Sequence, residues 1–308
     1  MSTFTTSSIS TTVINNILVI IGIILIIYVV YLVYSSNQTK NNLIETLTNE
    51  PILLIKKPVN QVLLLKTHIW NDELEFFAKK LKNESTNYLI DFYILMQSDD
   101  YSLVDKVRDA QLKKHVLMFT ESDIRKMYDT GFYSMWLSNH WILAWFFRKV
   151  STYQYYWSIE YDVRISGDSS KIWNDDSTAD FLYPIKPFQD PNWTWKNHYS
   201  GILFTDENKW YGYLQLARYS NRFLRYLDQY FVLGENGQDE MMIFSLYKKI
   251  QEEIGLTGQH KILNKLIDNS WSVDNADSDK HKKLLAESEA RYQIDKDHLQ
   301  IFHPIKYQ

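Results

Sequence analysis

The chain has 308 residues, a formal net charge of −4 and no cysteine. The missing cysteine excludes a disulfide framework, a thiolate metal site and a cysteine nucleophile, and unclustered basic residues argue against nucleic acid as a partner. The 22 tyrosines and 10 tryptophans suit either a large aromatic core or a surface that stacks sugars.

Residues 1–16 form a tail without Lys or Arg, and residues 17–34 read ILVIIGIILIIYVVYLVY. That uncharged run is long enough to cross a bilayer as one helix. A cleaved signal peptide would need a basic n-region and a small-residue cleavage site, and Tyr31-Leu32-Val33-Tyr34 is a poor one. The run predicts the anchor of a single-pass membrane protein, of Golgi/ER type or in a viral or host membrane, with residues 35–59 as stem. Lys40, Lys56 and Lys57 follow the span and favour a cytoplasmic bulk. Sequons at Asn37, Asn83 and Asn192 suit a lumenal one, so the side of the membrane stays open.

From residue 60 onward strand and helix patterns alternate. Gln61–Lys66 is a short apolar strand, Asp72–Leu81 has helical spacing, and Tyr88–Met96 is a second strand. A short helix near Leu103–Gln111, a strand at His115–Phe119 and a helical pattern at Asp123–Tyr128 follow. Asn139–Val150 reads as an apolar helix and Tyr155–Val163 as the fourth strand. Strands separated by helices predict an α/β domain over 60–308 with a mostly parallel sheet, whose ligands bind at the carboxyl ends of the strands. Beyond it, Gly201–Leu216 suggests two strands around Asp206-Glu207-Asn208, Ser220–Phe231 and Asp239–Glu253 are amphipathic helices, and Asp268–Lys283 reads as a surface loop. A phosphate-cradling glycine loop, HExxH, GxSxG and internal repeats are all missing from the sequence.

The chemistry concentrates in Tyr155-Tyr156-Trp157-Ser158-Ile159-Glu160-Tyr161-Asp162-Val163-Arg164. Residues i and i+2 of a strand share a face, so Glu160 and Asp162 are expected to project together from its end. Two adjacent carboxylates repel unless a positive charge joins them, and a hard divalent cation carrying phosphate oxygens is one such charge. The alternative is a strand that leaves the core and meets solvent.

Taken together, the Glu160-Tyr161-Asp162 strand end, the Gly237-Gln238-Asp239-Glu240 helix start and the late His303-Pro304 resemble GT-A-fold glycosyltransferases. The similarity is to a little-described branch with a WxIEYDV strand, found in algae, fungi and large DNA viruses. The resemblance implies a GT-A-like, Rossmann-like sheet flanked by helices, with Mn²⁺ or Mg²⁺ and a nucleotide-diphospho-sugar donor bound after the fourth strand. It implies Asp162 as direct metal ligand, Glu160 on the metal through water or on the ribose, and His303 completing the metal shell. It further implies Asp239 and Glu240 as acceptor-binding residues or general base. Glu160 departs from the commoner Asp at the first motif position.

Each assignment has a plain structural alternative. Acids at a helix start are favoured by capping and the macrodipole in any protein, and a lone histidine such as His303 is more often packed than ligating. Arg218, Arg222 and Arg225 are candidate diphosphate or acceptor contacts, or an ordinary basic helix face. Trp193 and Trp195 are either an acceptor stacking platform or packing beneath a loop. The reading reached is a membrane-anchored, metal-dependent glycosyltransferase acting from a nucleotide sugar onto a glycan or protein acceptor. Its rivals are a non-catalytic structural or glycan-binding protein on a degenerate GT-A fold, and a phosphotransferase or nucleotidyltransferase.

Overall fold

The structure is a computed structural model that describes residues 60–174 and 177–306. The expected span 17–34 and stem 35–59 lie outside the described residues. Among the described residues no helix is long and apolar enough to cross a membrane.

Among the described residues nine strands form two sheets: β1 (Gln61–Thr67), β2 (Asp91–Gln97), β3 (Val116–Phe119), β4 (Tyr155–Glu160), β5 (Arg164–Ser166), β6 (Phe181–Leu182), β7 (Leu216–Ser220), β8 (Gly258–Gln259) and β9 (Gln300–Phe302). The main sheet runs β3-β2-β1-β4-β7-β6-β8, and β5 pairs with β9 in a second sheet. The pairings β3–β2, β2–β1, β1–β4 and β6–β8 are parallel, while β7 is antiparallel to both its neighbours. The mostly parallel sheet expected from the alternation is therefore present.

Its strands are apolar because both faces are covered. Val62 and Leu64 of β1 join one core with Trp141, Phe146, Phe223 and Phe244 of three helices, His140–Lys149, Asn221–Val232 and Asp239–Ile254. Leu63 and Leu65 point the other way, to Leu74, Phe77 and Leu81 of helix Asp72–Thr86 and to Trp157 and Trp173. The chain proceeds outward from β1 through β2 to β3, then returns to place β4 on the other flank of β1. The carboxyl ends of β1 and β4 thus border a topological switch point, the crevice where open α/β sheets hold ligands.

Several elements differ from their sequence signals. The second strand begins at Asp91, because Leu89 turns through the left-handed region at φ 57°. The helix expected at Leu103–Gln111 is two single turns, Ser102–Asp105 and Ala110–Lys113, since the Glu75 carboxylate captures the N–H groups of Arg108 (3.0 Å) and Asp109 (3.1 Å) between them. The strand pair in Gly201–Leu216 does not form. There the Tyr199 hydroxyl accepts from the N–H groups of Leu203 (2.7 Å) and Phe204 (3.0 Å), which a ladder would need. The loop expected over Asp268–Lys283 instead contains two 3₁₀ turns and the start of helix Ser278–Ile294, whose buried residues are only Ser278, His281 and Ser288. A helix with no apolar stripe carries no periodic signal.

Candidate active site

β4 stops at Glu160, earlier than expected, and Tyr161–Asp162 form a turn closed by a hydrogen bond from Val163 N to Glu160 O (3.1 Å). Arg164 fixes that turn by donating to the carbonyls of Tyr161 (2.7 Å) and Val163 (2.8 Å). The chain then enters β5, which pairs Arg164 with Phe302 of β9 and so delivers the next residue, His303, beside Asp162. Backbone bonds from Ile305 N to Asp162 O (2.7 Å) and from His303 N to Ser270 O (2.9 Å) hold the tail in place. Asp162 and Glu160 do converge, but through this turn and tail rather than through a shared strand face.

Glu160, Asp162 and His303 each present a ligand atom, all within 4.8 Å of one another. His303 Nδ1 lies 2.6 Å from Ser272 O. A carbonyl only accepts, so Nδ1 carries a proton, which leaves Nε2 as the nitrogen placed to ligate. Nε2 faces Asp162 Oδ1 at 3.7 Å, and Oδ1 is buried without a hydrogen-bond partner. Two ligands each ~2.1 Å from one ion stand ~3.0 Å apart when cis and ~4.2 Å when trans, so the observed separation fits a shared divalent cation. A backbone carbonyl orienting the far nitrogen of a ligating histidine is the usual supporting arrangement.

Glu160 is also engaged elsewhere. Lys66 Nζ lies 3.3 Å from its Oε1, and Asn139 Nδ2 donates to the same oxygen at 2.9 Å. Lys66 is the register partner of Glu160 across β1 and β4, and its ammonium also donates to Asn139 Oδ1 at 3.0 Å. Asn139 stands at the N-cap of helix His140–Lys149 yet makes no side-chain cap bond, because its amide serves Glu160 instead. Lys306 Nζ lies 3.6 Å from Asp162 Oδ2. Lys66, Asn139 and Lys306 were not identified from the sequence, although a lysine ending an apolar strand and one three residues after His303 were visible there.

Two lobes meet at these residues. One, of about 270 Å³, lies over the ends of β1, β2 and β4 and is lined by Lys66, His68, Gln97, Glu160 and Asp162. The other, of about 390 Å³, runs from Asp162 and His303 to Asp239, Glu240, Trp193 and Trp195. Trp136 and Asn139 border both. The expected gathering of Asp162, His303 and the later acid pair in one cleft is thus present.

Asp239 and Glu240 open helix Asp239–Ile254 but are not its cap, since the Gln238 side chain accepts from Met241 N. Gly237 permits the approach, because a Cβ there would lie 2.4 Å from His198 O. Gln238 Nε2 donates to Asp239 Oδ1 (2.9 Å) and Glu240 Oε2 (3.2 Å), and Gln215 Nε2 donates to Glu240 Oε1 (2.9 Å). Burial, reinforced by the negative charge of Glu160, pushes the Asp239 carboxyl above the usual carboxylate range, with Lys66 opposing. Burial and the neighbouring Asp239 push Glu240 well up in the same direction.

Arg218 corrects its assignment as a donor contact. It lies in β7, fully buried, with its guanidinium donating to Ser177 O (2.6 Å) and Ala179 O (3.2 Å) and packed over Tyr155 (4.2 Å). Its register partner is Trp157, and it stands three residues, ~10 Å, back along the strand from Gln215 at the cleft. Arg222 donates to Ile254 O and Arg225 to Asn221 Oδ1, and neither lines either lobe.

No protein-family profile matches this sequence, and no curated protein matches it. Solved structures that it is similar to include the galactosyltransferase LgtC in complex with donor and acceptor sugar analogues, at 13% identity and TM-score 0.39 over 64% of this chain and 73% of that one. An inositol-1-phosphate CTP transferase from T. maritima is 9% identical, TM-score 0.39, over 65% of this chain and 84% of that one. A glycosyltransferase involved in the glycosylation of the major capsid of PBCV-1 is 9% identical, TM-score 0.34, over 65% and 81%.

Proposed function

We propose that the protein is a membrane-anchored, metal-dependent glycosyltransferase that moves a sugar from a nucleotide-diphospho-sugar to an acceptor hydroxyl, with residues 17–34 as the anchor. The observation that carries this reading is the approach of two ligand atoms, Asp162 Oδ1 and His303 Nε2, 3.7 Å apart in a two-lobed cleft at the sheet's switch point. When bound, Mn²⁺ or Mg²⁺ supplies Lewis-acid neutralisation of charge growing on the leaving diphosphate. Asp162 and His303 hold it, and Glu160, fixed by Lys66 and Asn139, borders it. Lys306 stands beside the same centre and offers a donor to phosphate oxygens. In an inverting reaction Asp239 takes the proton of the acceptor hydroxyl as general base, a role its raised pKa suits near neutral pH. Glu240, raised in the same direction by burial and by Asp239, is the other candidate for that base.

A non-catalytic role on a degenerate version of the fold has one observation in its favour: Lys66 and Lys306 already lie beside Glu160 and Asp162. Binding decides between the readings. Full-length protein should bind Mn²⁺ by electron paramagnetic resonance and hydrolyse a nucleotide-diphospho-sugar slowly without acceptor, both lost on chelation. Binding of neither metal nor nucleotide sugar rejects the transferase.

A further inference from the structure

The second lobe carries information beyond the reaction type. On one side stands Trp136, 68% exposed, an unusual position for so large an apolar side chain beside a cleft. It meets Trp195 edge to face, with ring centroids 4.9 Å apart and planes at 89°. An edge-to-face pair leaves at least one face of each ring uncovered by the other. Trp193 is spent differently, stacked on Tyr211 at 4.9 Å with its Nε1 3.4 Å from Gln238 Oε1. The expectation that Trp193 and Trp195 act alike is therefore replaced by a division: Trp193 braces the wall and Trp195 with Trp136 presents it.

The same lobe is also lined by Gln215, Gln238, Asp239 and Glu240. Gln215 donates its amide to Glu240, while its Oε1 is buried without a hydrogen-bond partner. A buried carbonyl oxygen without a partner is costly unless a donor reaches it. An exposed aromatic ring sharing one lobe with converging carboxamide and carboxylate groups matches a pyranose, which has an apolar C–H face and a rim of hydroxyls. A serine or threonine side chain offers one hydroxyl and no such ring face.

Building on the glycosyl-transfer reading above, we infer that this lobe binds a pyranose ring of a carbohydrate acceptor. The ring's apolar face stacks on Trp195, which Trp136 meets edge to face, and its hydroxyls reach Gln215, Asp239 and Glu240. The acceptor class is then a glycan rather than a protein side chain.

The test is saturation-transfer NMR on the full-length chain in a detergent without a sugar headgroup. The probes are methyl β-glycosides of glucose, galactose, mannose and xylose, with sorbitol and a Ser/Thr-containing peptide as comparisons. At least one glycoside should receive saturation on its axial C–H face, and sorbitol and the peptide should not. Trp195→Ala should weaken that glycoside about tenfold and leave Mn²⁺ affinity unchanged, while Trp195→Tyr should retain most of the binding. Silence from all four glycosides, preference for the peptide, or full binding by a folded Trp195→Ala overturns the inference. Glycoside binding without any Mn²⁺ or nucleotide-sugar binding rejects the transferase reading and leaves the carbohydrate site. The reverse pattern rejects the acceptor class alone.

Discussion

His303 Nε2 and Asp162 Oδ1 face each other at 3.7 Å, with the far nitrogen of the imidazole held by Ser272 O. Two acceptors opposed in this way need a proton or a cation between them. Asp162→Asn and His303→Ala should each lower Mn²⁺ affinity about 100-fold or more, beyond what loss of a supporting contact costs. Glu160→Gln should cost less, because that carboxylate is already tied to Lys66 and Asn139. Titration by electron paramagnetic resonance measures all three, with circular dichroism to verify folding. Equal losses at Glu160 and Asp162 would mean that Glu160 leaves Lys66 to ligate the ion.

Lys66 makes its own prediction. The Lys66 and Glu160 side chains are 7% and 17% exposed, so Lys66→Met strands a carboxylate in a largely dry site beside Asp239. Breaking one side of such a pair should destabilise the protein by about 2–4 kcal/mol, read from urea unfolding. Adding Glu160→Gln should recover most of that loss, since the uncompensated charge is gone. A double variant no more stable than Lys66→Met would show that Lys66 acts through packing alone.

What could be read from the sequence follows from how each group is solvated. The strands over Gln61–Lys66 and Tyr155–Glu160 were legible because both sheet faces are buried, which leaves continuous apolar runs. Asp162 stood out as an acid just past such a run. Lys66 did not, because one charged residue at a strand end is also what an ordinary wet end looks like. Trp136 sits in the irregular segment before helix His140–Lys149, where no period marks a face. Arg218 misled through spacing: with Arg222 and Arg225 it suggested a helix face, yet the helix starts only at Asn221 and Arg218 belongs to β7. The Tyr199 bonds that replace a strand pair join a side chain to distant backbone groups, which propensity does not register.

The acid pair sets a pH dependence whose sign can be worked out. Asp239 and Glu240 have native pKa values raised above their unfolded ones. Between the two, the native state holds more protons than the unfolded state, so stability falls as pH rises through that window. The slope is at most ~1.4 kcal/mol per pH unit for each proton. The lowered pKa values of His68, His140 and His281 act the other way up to pH ~6.5, so the clean readout is the difference between the two proteins: Asp239→Asn should remove its share of the fall and gain in relative Tm from pH 5 to pH 8. Scanning calorimetry of both proteins across this range checks the claim, and parallel curves would refute it.

The proposed anchor at residues 17–34 predicts that the full-length chain sediments with membranes and resists carbonate extraction. The fold adds a finer prediction about the two described sequons. Asn83 and Asn192 are both exposed, but Asn83 lies within helix Asp72–Thr86 and its sequon serine, Ser85, is fully buried. Asn192 lies in an irregular segment where the acceptor sequence is accessible without unwinding. If the domain is lumenal in a eukaryotic host, glycan mapping by mass spectrometry should find higher occupancy at Asn192 than at Asn83 whenever folding competes with modification. Protease added outside sealed vesicles gives the complementary result, sparing a lumenal domain and digesting a cytoplasmic one. Digestion with both asparagines bare would place the domain on the side that Lys40, Lys56 and Lys57 favour.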